Sequence, residues 1–305
     1  MNEITRHILE EVAGLHEIPE GAYNIRENGQ SIGRSSTEEI EIGTREDKKG
    51  LVVRIKPGTK KKSVHIPVVI SQSGLTEVVY NDFYVGEDCD VTIIAGCGIH
   101  NAGNDASKHD GIHRFFIGKG SKVKYVEKHY GSGDGLGERI MNPETIVDMD
   151  ADSYMEMDTV QIKGVDSTVR KTTATLGEGA KLVVTERLMT HGKQHAESYF
   201  DVYLNGKDSG ANIISRSVAK EDSFQKFCSR LIGNAVCSGH TECDAIIMDS
   251  ARISAVPELA ANHPDAALIH EAAIGKIAGE QIIKLMTLGL SEQEAEEKIV
   301  EGFLR

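Results

Sequence analysis

Three stretches of the sequence collect side chains able to bind metal or sulfur. The first, AGCGIHNAGNDASKHDGIHRFF, holds Cys97, His100, Asp105, His109, Asp110 and His113 within 17 residues. Thiolate and imidazole suit zinc, iron or copper(I) better than magnesium or calcium. Its spacing, C-x2-H-x8-H-x3-H, lies outside the compact zinc-finger patterns. HDGIHRFFIG reads as strand and turn, and residues four apart on a strand share a face, so His109 and His113 can converge. The same residues also suit a polar loop beside a turn. The second stretch, CSGHTECD, holds Cys237, His240 and Cys243. On an unbroken strand the two cysteines face one way and His240 the other, and Gly239 offers a bend that would change this. A buried cysteine is more often a small core residue than a ligand. The third, LIHEAAIG, pairs His270 with Glu271, as an ion pair, a helix-start feature or an acid–base pair.

What the chain lacks narrows the chemistry. No G-x-x-x-x-G-K-[ST] occurs, since the four Gly-Lys pairs all lack the following Ser or Thr. There is no G-x-S-x-G elbow and no H-E-x-x-H, so neither common hydrolase nor metalloprotease chemistry is expected, and the chain does not read as an enzyme. With 47 acidic against 34 basic residues the net charge is −13, which repels nucleic acid and anionic membrane surfaces. KPGTKKK at Lys56–Lys62 reads as a solvated turn between strands. Trp is absent and aromatics are 5%, so base-stacking platforms are poorly supplied. The N-terminal MNEITRHILEEVAGLHEIPEG is an amphipathic helix rather than a secretory signal, and no run nears the roughly 18 apolar residues of a membrane span. Five cysteines, an odd number, read as reduced thiols, which points to the cytoplasm.

The elements that must hold these groups follow a degenerate repeat. A Gly/Asp-rich turn, a small residue and a β-prone run recur in VGEDCDVTII, IGKGSKVKYV, MDADSYMEM and LGEGAKLVV, and less regularly in LNGKDSGANI and VAKEDSFQKF. The small positions are Cys89, Ser121, Ser153, Ala180, Ser209 and Ser223, separated by 32, 32, 27, 29 and 14 residues. Gly or Asp supplies positive φ or side-chain bonding at the turn, and the small residue lets stacked coils approach. Alternating residues such as Val123, Tyr125, Leu182 and Val184 then point into a shared interior. The expected fold is mainly β: a parallel β-helix, in which each coil covers its neighbour's edge, fits better than a sandwich, and hairpin meanders also fit this pattern.

The ends differ from the middle. Residues 1–70 read as an N-terminal region of helix and short strands, residues 71–264 as the β-helix core, and residues 265–305 as a C-terminal helical region. GKIAGEQIIKLMTLG places Ile277, Ile282, Leu285 and Met286 near one face, with Gly289 as its stop. In LSEQEAEEKIVEGFL, Ser291 and Glu294 form a capping box, and Ala295, Ile299 and Phe303 line one face. Such helices can cap the solenoid, present an apolar groove to a partner, or both.

From Ser215 onward the sequence resembles the SufB/SufD family of iron–sulfur cluster assembly scaffolds. The resemblance rests on an ordered set: G-H-x-x-C-D, P-x-L, D-A-x-x-x-H-E-A, G-x-I…Q…L, and G-[IL]-S-x-x-E-A…I-V-x-G-F, over about 90 residues. IIAGCGIH…GIHRFFIGKGSKVKYVEKHYG is a looser upstream match, and reads GCGIHN where SufB-type chains usually continue Cys-Thr-Ala-Pro. The resemblance implies a right-handed parallel β-helix with a small N-terminal region and C-terminal helices that bind SufC, an ABC-type ATPase. Ile282, Leu285, Met286, Ile299 and Phe303 would then meet that partner. By motif position Cys243 matches the interfacial cysteine of SufB and His270 the interfacial histidine of SufD. Glu271 matches the glutamate of the His-Glu pair, and Cys97 and His113 the upstream Cys and His. His100, His109, Cys237 and His240 are secondary candidates.

Because one chain carries both Cys243 and His270, a homodimer that replaces the SufB–SufD pair is expected. Cys97 and Cys243 would accept sulfur and iron as low-pKa thiolates beside imidazoles, with His270 and Glu271 completing the ligand set of a transient Fe–S cluster. A sulfur donor and apoprotein acceptors would be further partners. Nothing in the sequence supports a flavin. The competing expectations are a carbohydrate-active or surface β-helix, which would carry a secretion signal and paired acidic residues on one face, a stand-alone metal-binding protein, and a purely architectural one.

Overall fold

The computed structural model describes residues 1–305. Successive strands alternate between two sheets, one of eleven strands and one of ten. Asp90–His100 lies in the first sheet, Ser107–Ile117 in the second, Lys122–Ser132 again in the first, and so on to Ala266–Gly275. Each long strand pairs in parallel with its neighbours one coil away, often over ten residues without a register shift. This is a flattened β-solenoid. Alternation along each strand produces it: Ser167–Leu176 buries every second residue, Thr168 through Leu176. Val123, Tyr125, Leu182 and Val184 all enter one continuous apolar core.

The corner between the sheets explains the repeat. Cys89, Ser121, Ser153, Ala180 and Ser209 stack there with at most 1% exposure, and backbone bonds of 2.8–2.9 Å link each coil to the next. The residue before each of the five is left-handed: Asp88, Gly120, Asp152, Gly179 and Asp208. The next member of the column is Cys237, paired with Ser209, and not Ser223. Ser223 turns the opposite corner, where Arg252 N donates to its carbonyl, which accounts for the half-length interval of 14 residues.

Strands between Ala22 and Ile70 hydrogen-bond into the same two sheets, including two antiparallel pairs at that end. The helix Glu3–Ala13, capped by Asn2 and ended by left-handed Gly14, lays Ile8 and Val12 on the outside of the first sheet. Gly96 and Gly98 leave room for it: a Cβ at Gly98 would stand 2.1 Å from Ile8 Cγ2.

At the other end the helical tail starts later than the sequence pattern suggested. Residues 266–275 form one more strand, in unbroken register with Cys237–Ile246, so that Leu268 completes the core while both faces of the strand stay largely open. Helices Gly279–Thr287 and Glu292–Phe303 follow, the second with the Ser291–Glu294 capping box in place. Val300 and Leu304 seat the second helix against Val218, Ile246 and Met248. No helix is long and apolar enough to cross a membrane.

Candidate functional site

Inside the first coils, Cys97, His109 and His113 surround a cavity of about 20 Å³, room for one water. His109 and His113 lie on one face of Ser107–Ile117, both buried, with Gly111 between them. A Cβ on Gly111 would come within 3.1 Å of His113 Nε2. Glu127 and His129, on the facing strand, complete the lining. His100 lies apart, at the strand end, where its Nδ1 meets Ser132 Oγ at 3.0 Å.

The charges around this cavity come from residues that the sequence pattern did not single out. Glu77 is buried and bound by Arg26 (2.5 Å) and Lys49 (2.8 Å), with His109 Nδ1 at 3.6 Å. Burial raises its carboxyl, but the neighbouring His109, Lys49 and Arg26 outweigh this and hold it well below the usual range. Glu127 is likewise opposed by burial and held low by Arg170 and His129. Tyr125 donates to Glu127 at 3.0 Å and meets His113 Nδ1 at 2.8 Å.

From Glu127 a polar column runs down the inner face of the first sheet. Strand register stacks Glu127, Thr159, Glu186, Ser215 and Cys243, one residue per coil. Arg170, from the second sheet, forms ion pairs with both Glu127 and Glu186, and Ser198 and Ser215 donate to Glu186 at 2.6 and 2.8 Å. Alternation hides such groups in a sequence: Arg170 sits in STVRKTTATL and Glu186 in KLVVTERLMT, where a charge reads as solvated. Only the register shows that they face each other.

Cys243 ends this column, 1% exposed, on the unbent strand Cys237–Ile247. Cys237 faces the same way but sits in the corner, and His240 faces out, as expected for a continuous strand. His270 faces in from the last strand, its Nδ1 2.6 Å from Thr241 Oγ1. Thr241 and Cys243 are two residues apart on one strand, so the His270 and Cys243 backbones are roughly 8 Å apart across the strand spacing. Glu271 does not join them. It faces outward, paired in register with Glu242, and its Oε2 is 3.5 Å from His240 Nε2.

The SUF system FeS cluster assembly, SufBD core domain, matches residues 70–303. An iron-sulfur cluster assembly SufBD family protein of Archaeoglobus fulgidus is 33% identical over 85% of this chain and 69% of its own length. The chain belongs to the SufBD family. A SufBD family protein of Methanothermobacter thermautotrophicus is 29% identical over 84% of this chain, which spans 62% of that relative. SufB of Bacillus subtilis is 29% identical over 42% of this chain.

In this SufBD protein the thiols are not the activated ones expected from neighbouring imidazoles. Burial pushes Cys97 well above the ordinary thiol range, and the Glu77 and Glu127 charges add to it. Cys243 is pushed up to about 12 by burial, Glu186 and Asp244. His113 supplies no cation, because burial lowers it to about 4 despite Glu127. The carboxylates, not the imidazoles, set the local field.

The tail also departs from the expected apolar face. Helix Gly279–Thr287 buries no residue: Ile282 and Leu285 are half-buried, Met286 is exposed, and Ile283 and Leu288 are 61% and 77% exposed. Ile299 and Phe303 are half-buried, and Phe303 packs toward the solenoid. The outward apolar surface is therefore Ile283, Met286 and Leu288 rather than the full expected set.

Proposed function

We propose that this SufBD protein is an assembly platform, not an enzyme, on which a nascent iron–sulfur cluster is built between two copies of the chain. The observation that carries this reading is the placement of Cys243 and His270. Both face inward at the end of the solenoid where each sheet closes on an unpaired strand. Cys97 would take up sulfur at the far end of the polar column, and Cys243 and His270 would hold iron and sulfur at the open end. Because Cys243 rests as a neutral thiol, binding iron must displace its proton.

An ABC-type ATPase partner fits the tail. Three residues, 276–278, join the strand bearing His270 to helix Gly279–Thr287, whose apolar side chains lie exposed. A pull on that helix acts directly on the last strand and would open the site. Cytoplasmic residence accords with reduced thiols and with the free state of all five cysteines.

The test is anaerobic reconstitution of the purified chain with its ATPase, followed by absorbance and Mössbauer spectra, for wild type and Cys243→Ala. The expected result is a cluster in wild type that is lost or crippled in the variant. A wild type that loads no cluster where another scaffold does would favour the architectural or metal-binding readings.

A further inference from the structure

The outer face of the same two strands carries a second group of ligands, which the cluster reading leaves unused. His240, Glu242 and Glu271 each offer one ligand atom, and all three atoms lie within 4.8 Å of one another. Donors about a tetrahedral first-row cation with ligands at about 2.0–2.2 Å stand about 3.4 Å apart; His240 Nε2 and Glu271 Oε2 are already 3.5 Å apart, and Glu242 would close in by up to about 1.4 Å. Two features show more than chance proximity. His240 Nδ1 lies 2.9 Å from Asn212 Oδ1, an amide oxygen that only accepts, so Nδ1 carries the proton. In the neutral ring the Nε2 lone pair is then free, with Glu271 Oε2 at 3.5 Å. Fixing the tautomer from behind in this way is what outer-shell partners of metal-bound histidines do. In addition, Glu242 and Glu271 stand directly opposite each other on paired strands, and no lysine or arginine forms an ion pair with either. Like charges in that position destabilise a sheet; a hydrogen bond with Asp244, which raises the Glu242 carboxyl, offsets part of that repulsion, and a cation between the two glutamates would offset the rest.

We infer that His240, Glu242 and Glu271 form a divalent transition-metal site on the outside of the solenoid, and that its occupant is ferrous iron awaiting transfer to Cys243. One imidazole and two carboxylates suit ferrous iron or zinc, and leave positions open for water. The identity of the ion rests on the proposed scaffold function; the site itself does not. Its place follows from strand alternation: Glu242 and Cys243 are adjacent, so one strand presents the carboxylate outward and the thiol inward. Glu271 and His270 repeat the arrangement on the last strand. Movement of that strand would bring iron and thiol to one side.

Cobalt(II) titration of the full-length apo protein under nitrogen tests the site. Wild type is expected to bind one equivalent with weak d–d bands and no thiolate charge-transfer band, and Cys243→Ala to bind equally well. His240→Ala and the double variant E242Q/E271Q should weaken binding at least about tenfold, and Asn212→Ala about tenfold through the ring alone. Ferrous iron should displace the cobalt. Unchanged affinity in His240→Ala and E242Q/E271Q, with folding verified by circular dichroism, would overturn the inference. So would a thiolate band that disappears in Cys243→Ala. A cobalt site that survives while no cluster assembles would sink the scaffold reading alone, and the converse result would sink this inference alone.

Discussion

A thiol becomes a metal ligand only after losing its proton, and the interior of this solenoid opposes that loss at Cys97 and Cys243. With Cys243 moved from 9.0 to about 12, its thiolate fraction at pH 8 is about a thousandfold below that of a free cysteine. Labelling with a disulfide reagent at pH 8 should therefore reach Cys228, the half-exposed cysteine, first, and leave Cys97 and Cys243 protected; equal labelling of Cys243 and Cys228, read by mass spectrometry, would refute the closed resting state. His113 gives a pH signature. Its folded value of about 4 lies below the ordinary 6.5, so between these values the unfolded chain binds a proton that the folded chain refuses. Stability from this group is complete above pH 6.5 and falls as the pH drops toward 4, by about 2 kcal/mol at pH 5. His65, also lowered by burial, acts in the same sense, whereas Glu77 and Glu127, held low, lose their contribution only below about 4.5. His113→Asn should flatten the slope between pH 7 and 5 in urea titrations; an unchanged slope would show that His113 is not the group responsible. Of the site itself, Cys97, His109, His113, Cys243 and His270 were legible as residue types. Glu77, Glu127, Arg170 and Glu186 were not, because their meaning lies in register between coils. The outward turn of Glu271 was implicit in its adjacency to an inward His270, but the motif hid it by treating the pair as one unit.

At the scale of elements, the two C-terminal helices divide the work that the sequence assigned to an apolar face on each. Helix Glu292–Phe303 anchors through Val300 and Leu304, and the preceding helix displays Ile283 and Leu288. Leu304→Ala should cost about 2–3 kcal/mol in denaturant unfolding, since it empties a small satellite core. Ile283→Glu with Leu288→Glu should leave that midpoint unchanged and abolish association with the proposed ATPase partner in a pull-down or titration. If the ATPase still binds with undiminished affinity, the exposed surface is not its dock. The solenoid was legible because its corner is a strong local signal: left-handed Gly or Asp followed by a small residue, coil after coil. Assigning Ser223 to that column failed because it too is a small residue shortly after a left-handed one; there the left-handed residue is Glu221, two positions before it, whereas in the column it stands immediately before. The helical tail was placed too early because ALIHEAAIG is rich in good helix formers. Tertiary pairing with Cys237–Ile246 overrides that preference.

For the molecule as a whole, the two ends of the solenoid are unequal. At the N-terminal end the outermost strands, Gln30–Ser35 and Ile40–Thr44, are short and antiparallel. At the C-terminal end both sheets finish on strands of ten residues, Arg252–Ala261 and Ala266–Gly275, with Val256, Leu259 and Ile269 at 48%, 40% and 55% exposure. Long apolar edge strands are templates for further pairing, and a second copy offers the same two edges in the self-complementary arrangement of a two-fold dimer. Charge opposes this: two chains of −13 repel, and salt screens that repulsion over about 10 Å at 0.1 M. A dimer formed through these edges, as proposed, should therefore tighten as ionic strength rises, the reverse of an interface built on ion pairs. Val256→Lys with Ile269→Lys should yield monomers in light-scattering chromatography and lose cluster loading, with His270 and Cys243 both intact. Monomers that still load a full cluster would show that one chain suffices, and would move the site from the junction of two solenoids to the interior of one.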